Sequence, residues 1–309
     1  MATPQTKATT TADFSGFLKP EMSAPLFEQA AKSSVVMRLA RQIPLSPNGV
    51  DVPFTTSKPQ AAWVAEGAEK PTTEGGLGLK HIKVAKMACT SVMSQEVVRA
   101  NPGGYVALLR PWLAEAFALT FDAAALHGTN TPFGANNFLD SSTKSVALGT
   151  ATTATGSVYG DVVAGLDALV KAGKKLNGFA FDREVEPLFL GSLDTAGRPL
   201  FVDAPPLSDT TEVVTGGRLI GRPAMLGDTI KHLPTGGTAK TILGYGGDWS
   251  QCVYGMVGGI SYKVSTEATV NLNGTLTSAF QHNLVVLLAE AEFGFYCNDP
   301  ESFVKYTAK

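Results

Sequence analysis

Few residues of this chain are spaced for chemistry. The four histidines, His81, His127, His232 and His282, lie far apart, with no HExxH pair or other close spacing, so metal ligation is not indicated. Cys89, Cys252 and Cys297 are an odd number without a CxxC pair. That argues against a zinc site or a disulfide framework and for three reduced, mostly buried thiols. Gly216-Gly217-Arg218, Gly244-Tyr245-Gly246-Gly247 and Gly258-Gly259 match neither GxxxxGK[ST] nor GxGxxG and read as tight turns. There is no GxSxG elbow and no cysteine in a nucleophile's setting. No cofactor is implied, and an enzyme acting on a diffusible substrate has little support.

The elements that would position any site are more informative. Ala61 to Gly76 reads AAWVAEGAEKPTTEGG, an apolar strand with Trp63 and Val64 that breaks into Glu66, Gly67, Glu69, Lys70, Pro71 and Glu74. A second run, Leu79 to Val84, leads back, so that about Val50 to Met87 forms a long two-stranded arm with a polar tip. Two strands alone bury too little surface to be stable in water. The arm is therefore expected to rest on something else, most simply another copy of the chain.

With 309 residues, 44% of them hydrophobic, the chain holds one large domain or two. A net charge of −2 recruits no nucleic acid through a basic surplus. No apolar run is long enough to span a bilayer, and the polar start MATPQTKATTTADFSG has no signal-peptide core, so a cytoplasm-like compartment and no membrane partner are expected.

Residues 1–16 read as a mobile arm, and Pro20 to Met37 carries a short helical patch. Ser94 caps a helix with Glu96 in its first turn. A longer helix spans about Tyr105 to Leu126, with Val106, Leu109, Leu113, Phe117 and Ala124 at three/four spacing; Pro111 predicts a start near Arg110 or a kink. Ser141 to Gly156 is a Thr/Ser/Ala-rich connector. A second helix covers Asp161 to Ala172, followed by a strand at Asn177 to Phe181. The closing strands are read at Trp249 to Val257, Ile260 to Val264 and Asn283 to Phe295. The alternation never becomes a regular doubly wound sheet, so the fold class is α+β.

The order of these motifs resembles that of tailed-phage major capsid proteins of the Hong Kong ninety-seven fold, over nearly the whole chain. The arm motif WVAEGAEKP (63–71) is similar to that family's extended-loop tip, and VMSQEVV (92–98) to the entry of its spine helix. HGTNTPFG (127–134) resembles the loop that ends that helix, GFAFDR (178–183) a strand of the axial domain, and 193–201 and 213–227 the loop and strand that follow. The resemblance implies an N-terminal arm (1–34), an extended loop (50–87), a peripheral domain with the spine helix (35–49, 88–150 and 265–309) and an axial domain (151–264). It implies a major capsid protein that self-assembles as hexamers and pentamers into an icosahedral head, is put together in the host cytoplasm and ends in the virion. The implied partners are a separately encoded scaffolding protein, a portal protein, packaged double-stranded DNA held non-specifically, and a decoration protein in some relatives. An encapsulin-like nanocompartment with protein cargo has the same fold and is the alternative.

Some members of that family join subunits by an isopeptide bond between a loop lysine and a peripheral-domain asparagine, helped by a glutamate. The resemblance places Lys70, Asn283 and Glu290 at those positions. The amine must lose its proton to attack the carboxamide, and an apolar setting would lower the lysine's pKa and raise that of Glu290, fitting it to take the proton. Asn283 and Glu290 are an odd number apart, so on a regular strand they face opposite sides, and a site shared between subunits follows. The competing reading is a solvated turn for Lys70 and an ordinary ion pair for Glu290.

Overall fold

A computed structural model describes residues 34–57, 59–67, 69–101, 105–152, 156–192, 215–234 and 240–309. The expected N-terminal arm lies outside these except for Ser34, as do the 193–201 loop and all of the Pro20–Met37 patch before Ser34. The end of that patch opens helix α1 (Val35–Leu39).

One helix organises the molecule. Helix α3 (Tyr105–His127) places Leu109, Leu113, Phe117, Phe121 and Ala125 on a buried side. It starts at Tyr105, not near Arg110, and continues through Pro111. The backbone bond lost at a proline is offset by this apolar burial. Against that side packs a four-stranded sheet in the order β1 (Arg41–Gln42), β10 (Cys252–Ser265), β13 (Leu284–Cys297), β4 (Ala85–Ser94). Along β13 every second residue from Val285 to Cys297 is buried, while Leu288, Glu290, Glu292 and Tyr296 are only half-buried. This is the period-two alternation of a sheet covered on one face. Phe121 sits at the centre, with ring centroids 5.4 Å from Phe293 and 6.0 Å from both Phe295 and Phe133.

The other large sheet has six strands, ordered β5 (Ser145–Ala147), β14 (Phe303–Thr307), β9 (Ile242–Gly247), β6 (Gly178–Asp182), β8 (Arg222–Gly227), β7 (Thr215–Leu219). Its central strand β6 is buried throughout. Phe179 and Phe181 belong to a cluster with α4 (Ser157–Lys171) and α5 (Glu186–Leu190), whereas Ala180 joins the core under α3. Gly165 of α4 lets Tyr306 approach so closely that an added Cβ would lie 2.2 Å from its hydroxyl.

Besides the helical passage through α3 from β4 to β5, the chain crosses directly between the sheets from β9 through a short 3-10 turn (Trp249–Gln251) into β10, and from β13 through another (Pro300–Ser302) into β14. Sheet membership therefore groups residues 252–264 with α3 and residues 303–307 with the 178–247 strands. The two closing strands read at Trp249–Val257 and Ile260–Val264 form one strand, Cys252–Ser265, with a register shift between Val257 and Ser261 around Gly258 at φ +68. A hairpin of β11 (Thr269–Leu272) and β12 (Thr275–Ser278) turns at Asn273 and Gly274, both at positive φ, and covers Val92, Leu284 and Val286.

Replacing Phe121 by Ala is expected to cost about 3–5 kcal/mol, because the ring fills a site closed on all sides. Urea unfolding of the soluble subunit measures this; a loss below about 1 kcal/mol would mean that α3 does not bear on β13 as described.

Candidate functional site

The arm is built from β2 (Val50–Ser57) and β3 (Gly76–Ile82), paired antiparallel from Val50–Ile82 to Ser57–Gly76. Its base is anchored by Val50, Val52 and Ile82 against Leu45, Val253 and Tyr296. His81 Nδ1 lies 2.7 Å from Asp51 Oδ1 across the pair. Beyond Ser57 the pairing gives way to a few side-chain contacts, Ser57 Oγ accepting from Gly76 N (2.8 Å) and Thr73 Oγ1 from Gln60 N (2.9 Å). The residues expected as an apolar strand, Ala61 to Val64, are not in a strand. Pro59 and Pro71 flank them on the two sides of the tip and offer no amide donor, which weakens any ladder there. Outside the base the arm is bare, with Trp63, Leu77 and Leu79 at 104%, 80% and 73% exposure.

Lys70 stands on this tip, exposed. Asn283 is exposed just before β13, in a left-handed conformation (φ +52). Its carbonyl accepts from Gln95 N (2.9 Å), and its Nδ2 donates to Glu96 Oε1 (2.7 Å). Helix α2 (Gln95–Ala100) thus has its N-terminus tied twice, by Ser94 Oγ accepting from Val97 N and by Asn283. The parity argument for Asn283 does not apply, because that residue precedes the strand. Glu96, which no sequence spacing connected to Asn283, is held below the usual carboxylate range by its own backbone amide, then by Asn283 and Ser94.

Glu290 lies seven residues along the chain from Asn283, about 23 Å at strand rise. It is on the face of β13 turned away from α3. The apolar setting expected for it is overturned: Lys86 Nζ of β4 is 2.5 Å from Oε1, and Lys263 Nζ of β10 is 3.2 Å from Oε2. Hydrogen bonds from Lys86 and then Lys263 hold the Glu290 carboxyl below its usual range, and Glu290 in turn raises Lys86. Strand residues facing outward alternate with apolar ones in sequence, so the run 284–291 looks apolar although one face of it carries charge. Within one subunit the structure brings Asn283 to Glu96 and Glu290 to two lysines, and it brings neither to Lys70.

A buried polar junction escaped sequence reading because its members are scattered along the chain. Asp122 of α3 accepts from Val35 N (3.0 Å), Thr229 Oγ1 (3.1 Å) and Ser34 Oγ, capping α1 and fixing the turn after β8. One turn on, His127 stacks on His232 at 4.4 Å, with Nδ1 2.9 Å from the Tyr245 hydroxyl and Nε2 3.4 Å from the Thr229 carbonyl. Burial pushes Asp122 up to about 6 despite its hydrogen bonds. Burial, followed by His232, pushes His127 down to about 4. Gly128, at φ +69, ends the helix just beyond.

With this geometry in hand, the comparisons with known proteins are decisive. The Phage capsid family profile matches residues 15–308. The chain belongs to the phage capsid family. It is 40% identical over 314 aligned positions to the probable major capsid protein gp17 of Mycobacterium phage L5, covering 98% of this chain and 93% of that one. The protein of the same name from Mycobacterium phage D29 is 39% identical, with 95% and 91% covered. Among solved structures, a chain of Gordonia phage Cozz superposes with TM-score 0.73 at 24% identity (96% and 93% covered). A chain described as the capsid of an empty GTA particle computed with C5 symmetry gives 0.65 at 16% (96% and 97%). The mixed α+β fold is therefore that of the phage capsid family.

The junction makes a pH prediction for this capsid-family subunit. Between about pH 4 and 6, folded Asp122 keeps a proton that the unfolded chain, at a normal 3.8, has lost, so its contribution to stability grows on acidification. His127 stays neutral when folded while the unfolded chain, at a normal 6.5, binds a proton, so its contribution shrinks over nearly the same range. Each effect is about 3 kcal/mol and the two oppose each other. Asp122→Asn should therefore lose about 3 kcal/mol more than wild type between pH 6.5 and 4, and His127→Gln should lose less than wild type. Urea unfolding at stepped pH measures both; wild-type slopes in both variants would contradict the assignment.

Proposed function

We propose that this chain is the major capsid protein of a tailed phage, a structural component of the virion that assembles through its own copies. One observation carries the reading: a projecting two-stranded arm, with Trp63, Leu77 and Leu79 bare, on a subunit that belongs to the phage capsid family. Such a strip is stable only where another surface covers it. Hexamers and pentamers of the subunit form the shell. The six-stranded sheet with α4 and α5 forms the axial domain. The four-stranded sheet with α3 forms the peripheral domain, which places 252–264 with the latter and 303–307 with the former. A separately encoded scaffolding protein, a portal, a decoration protein and non-specifically held double-stranded DNA complete the set of partners. Electron microscopy of the protein from virions, or co-expressed with its scaffolding protein, is expected to give closed icosahedral particles. Soluble monomers or small oligomers alone would refute the reading, and protein cargo in place of DNA would favour a nanocompartment. Deleting Trp63 to Leu79 should leave the subunit folded, since the tip touches no core, but should sharply lower the yield of closed particles.

A covalent extension of this function is supported by the exposure of both Lys70 and Asn283, the first on an arm that reaches beyond its own subunit. Neutral Lys70 of one subunit attacks Cγ of Asn283 on another; the new C–N bond forms as the bond to Nδ2 breaks, and ammonia leaves. A carboxylate carries the proton from the amine to the leaving nitrogen, the role assigned to Glu290. Holding the two groups between subunits makes the attack effectively unimolecular. Denaturing gels of mature particles should then show ladders. Lys70→Ala, Asn283→Ala and Glu290→Ala should each return a single monomer band, as should Lys70→Arg, whose guanidinium stays protonated. A single band from wild-type particles would exclude the cross-link.

A further inference from the structure

Cys252 and Cys297 are remote in sequence and directly opposite each other in the fold. The first opens β10 and the second closes β13, in register as a cross-strand pair. The hydrogen bonds around them define the kind of pair. Asn298 N donates to Gln251 O at 2.9 Å, so the bonded pair is the next one out, while Cys297 N turns away from β10 to donate to Asn137 Oδ1 at 2.8 Å. Cys252 and Cys297 therefore occupy a non-hydrogen-bonded site, where opposed Cα atoms of antiparallel strands stand about 4.5 Å apart and side chains are closest. That spacing lies within the range of about 4.4–6.8 Å that a disulfide spans. Both residues are buried in the core cluster under α3. Asn137, itself buried, accepts from Cys297 N and donates to Phe295 O (3.0 Å), fixing the end of β13.

We propose that Cys252 and Cys297 form a dithiol site that closes to an intrasubunit disulfide when a peroxide-class oxidant reaches it. One thiolate sulfur attacks the peroxide O–O bond, giving a sulfenic acid and one water once protons are exchanged. The second thiolate attacks that sulfur and displaces hydroxide, which leaves as a second water. Two thiols and one peroxide thus yield one disulfide and two waters. In the structure both groups are thiols. Burial, then the neighbouring Cys297, pushes the Cys252 thiol well up, so closure is slow and quickens with rising pH. Access comes from the position of the pair at the ends of two strands, where local opening is least costly. The site lies where both direct crossovers join the four-stranded sheet, just after Gln251 and just before Asn298. A bond there would tie the two passages of chain together and resist their separation. A virion component leaves the reducing interior of its host, so such a bond would persist after release.

The test uses the full-length wild-type protein, as shells or as soluble subunits, so that it stands apart from the shell reading. Samples with and without hydrogen peroxide are denatured, alkylated without reductant, digested and analysed by mass. After peroxide the peptides carrying Cys252 and Cys297 are expected to be joined, lighter by two hydrogens and released by reductant, with Cys89 alkylated throughout. The reaction should run faster at pH 9 than at pH 7, and Cys297→Ala should abolish the joined species. If Cys252 and Cys297 remain fully alkylated after peroxide, or are recovered as separate sulfinic or sulfonic acids, the proposal fails.

Discussion

The packing of one helix face against one strand is the constraint on which everything else rests. Leu109, Leu113, Phe117 and Phe121 of α3 face alternate residues of β13, and neither element could keep its apolar side in water without the other. The same helix then reaches past the four-stranded sheet. Asp122 and His127, at its C-terminal end, bind the turn after β8 and the hydroxyl of Tyr245 in the six-stranded sheet. A rigid rod seated in both sheets fixes their relation, and the two strand crossovers complete the connection.

On the outer face of the four-stranded sheet, the stretch between the β11–β12 hairpin and the base of the arm carries charge. Lys86, Glu290 and Lys263 stand on three adjacent strands and pair across them. Because the group is largely solvated, its effect on subunit stability is small. Its consequence is local: it keeps a charged patch on a face that a subunit contact would have to accommodate, and it holds the Glu290 carboxyl below its usual range. At the buried junction the energetics differ. There Asp122 and His127 are desolvated, their responses to acid are opposed, and the connection between α3 and the six-stranded sheet is shielded from moderate pH change.

The arm is the complementary case. Its base is part of the subunit through Val50, Val52 and Ile82, while Trp63, Leu77 and Leu79 have no cover among the described residues. A fold stabilised in its centre and incomplete at its periphery suits a component whose remaining contacts come from neighbours.

Local features were legible in the sequence because they depend on near neighbours. Ser94 caps α2 as its residue type predicts, the 3.6-residue spacing marks α3, and the arm follows from alternation around a Gly/Pro-punctuated tip. The ordered motifs also carried the family, and with it the α+β class. Contacts between distant segments were not legible. Nothing in the spacing joins Asn283 to Glu96, Glu290 to Lys86 and Lys263, Asp122 to Ser34 and Thr229, or Cys252 to Cys297. The sheet that each closing strand enters was equally hidden, since β10 and β14 look alike as apolar runs. These choices are made by strand register and helix docking, which bring together residues more than 200 positions apart, Lys86 and Glu290 or Arg41 and Val253 among them. The sequence by itself determined which residues could form helix, strand and turn; the tertiary structure alone decided which charges meet and which thiols face each other, because a side chain's environment is set by what packs on it from across the fold.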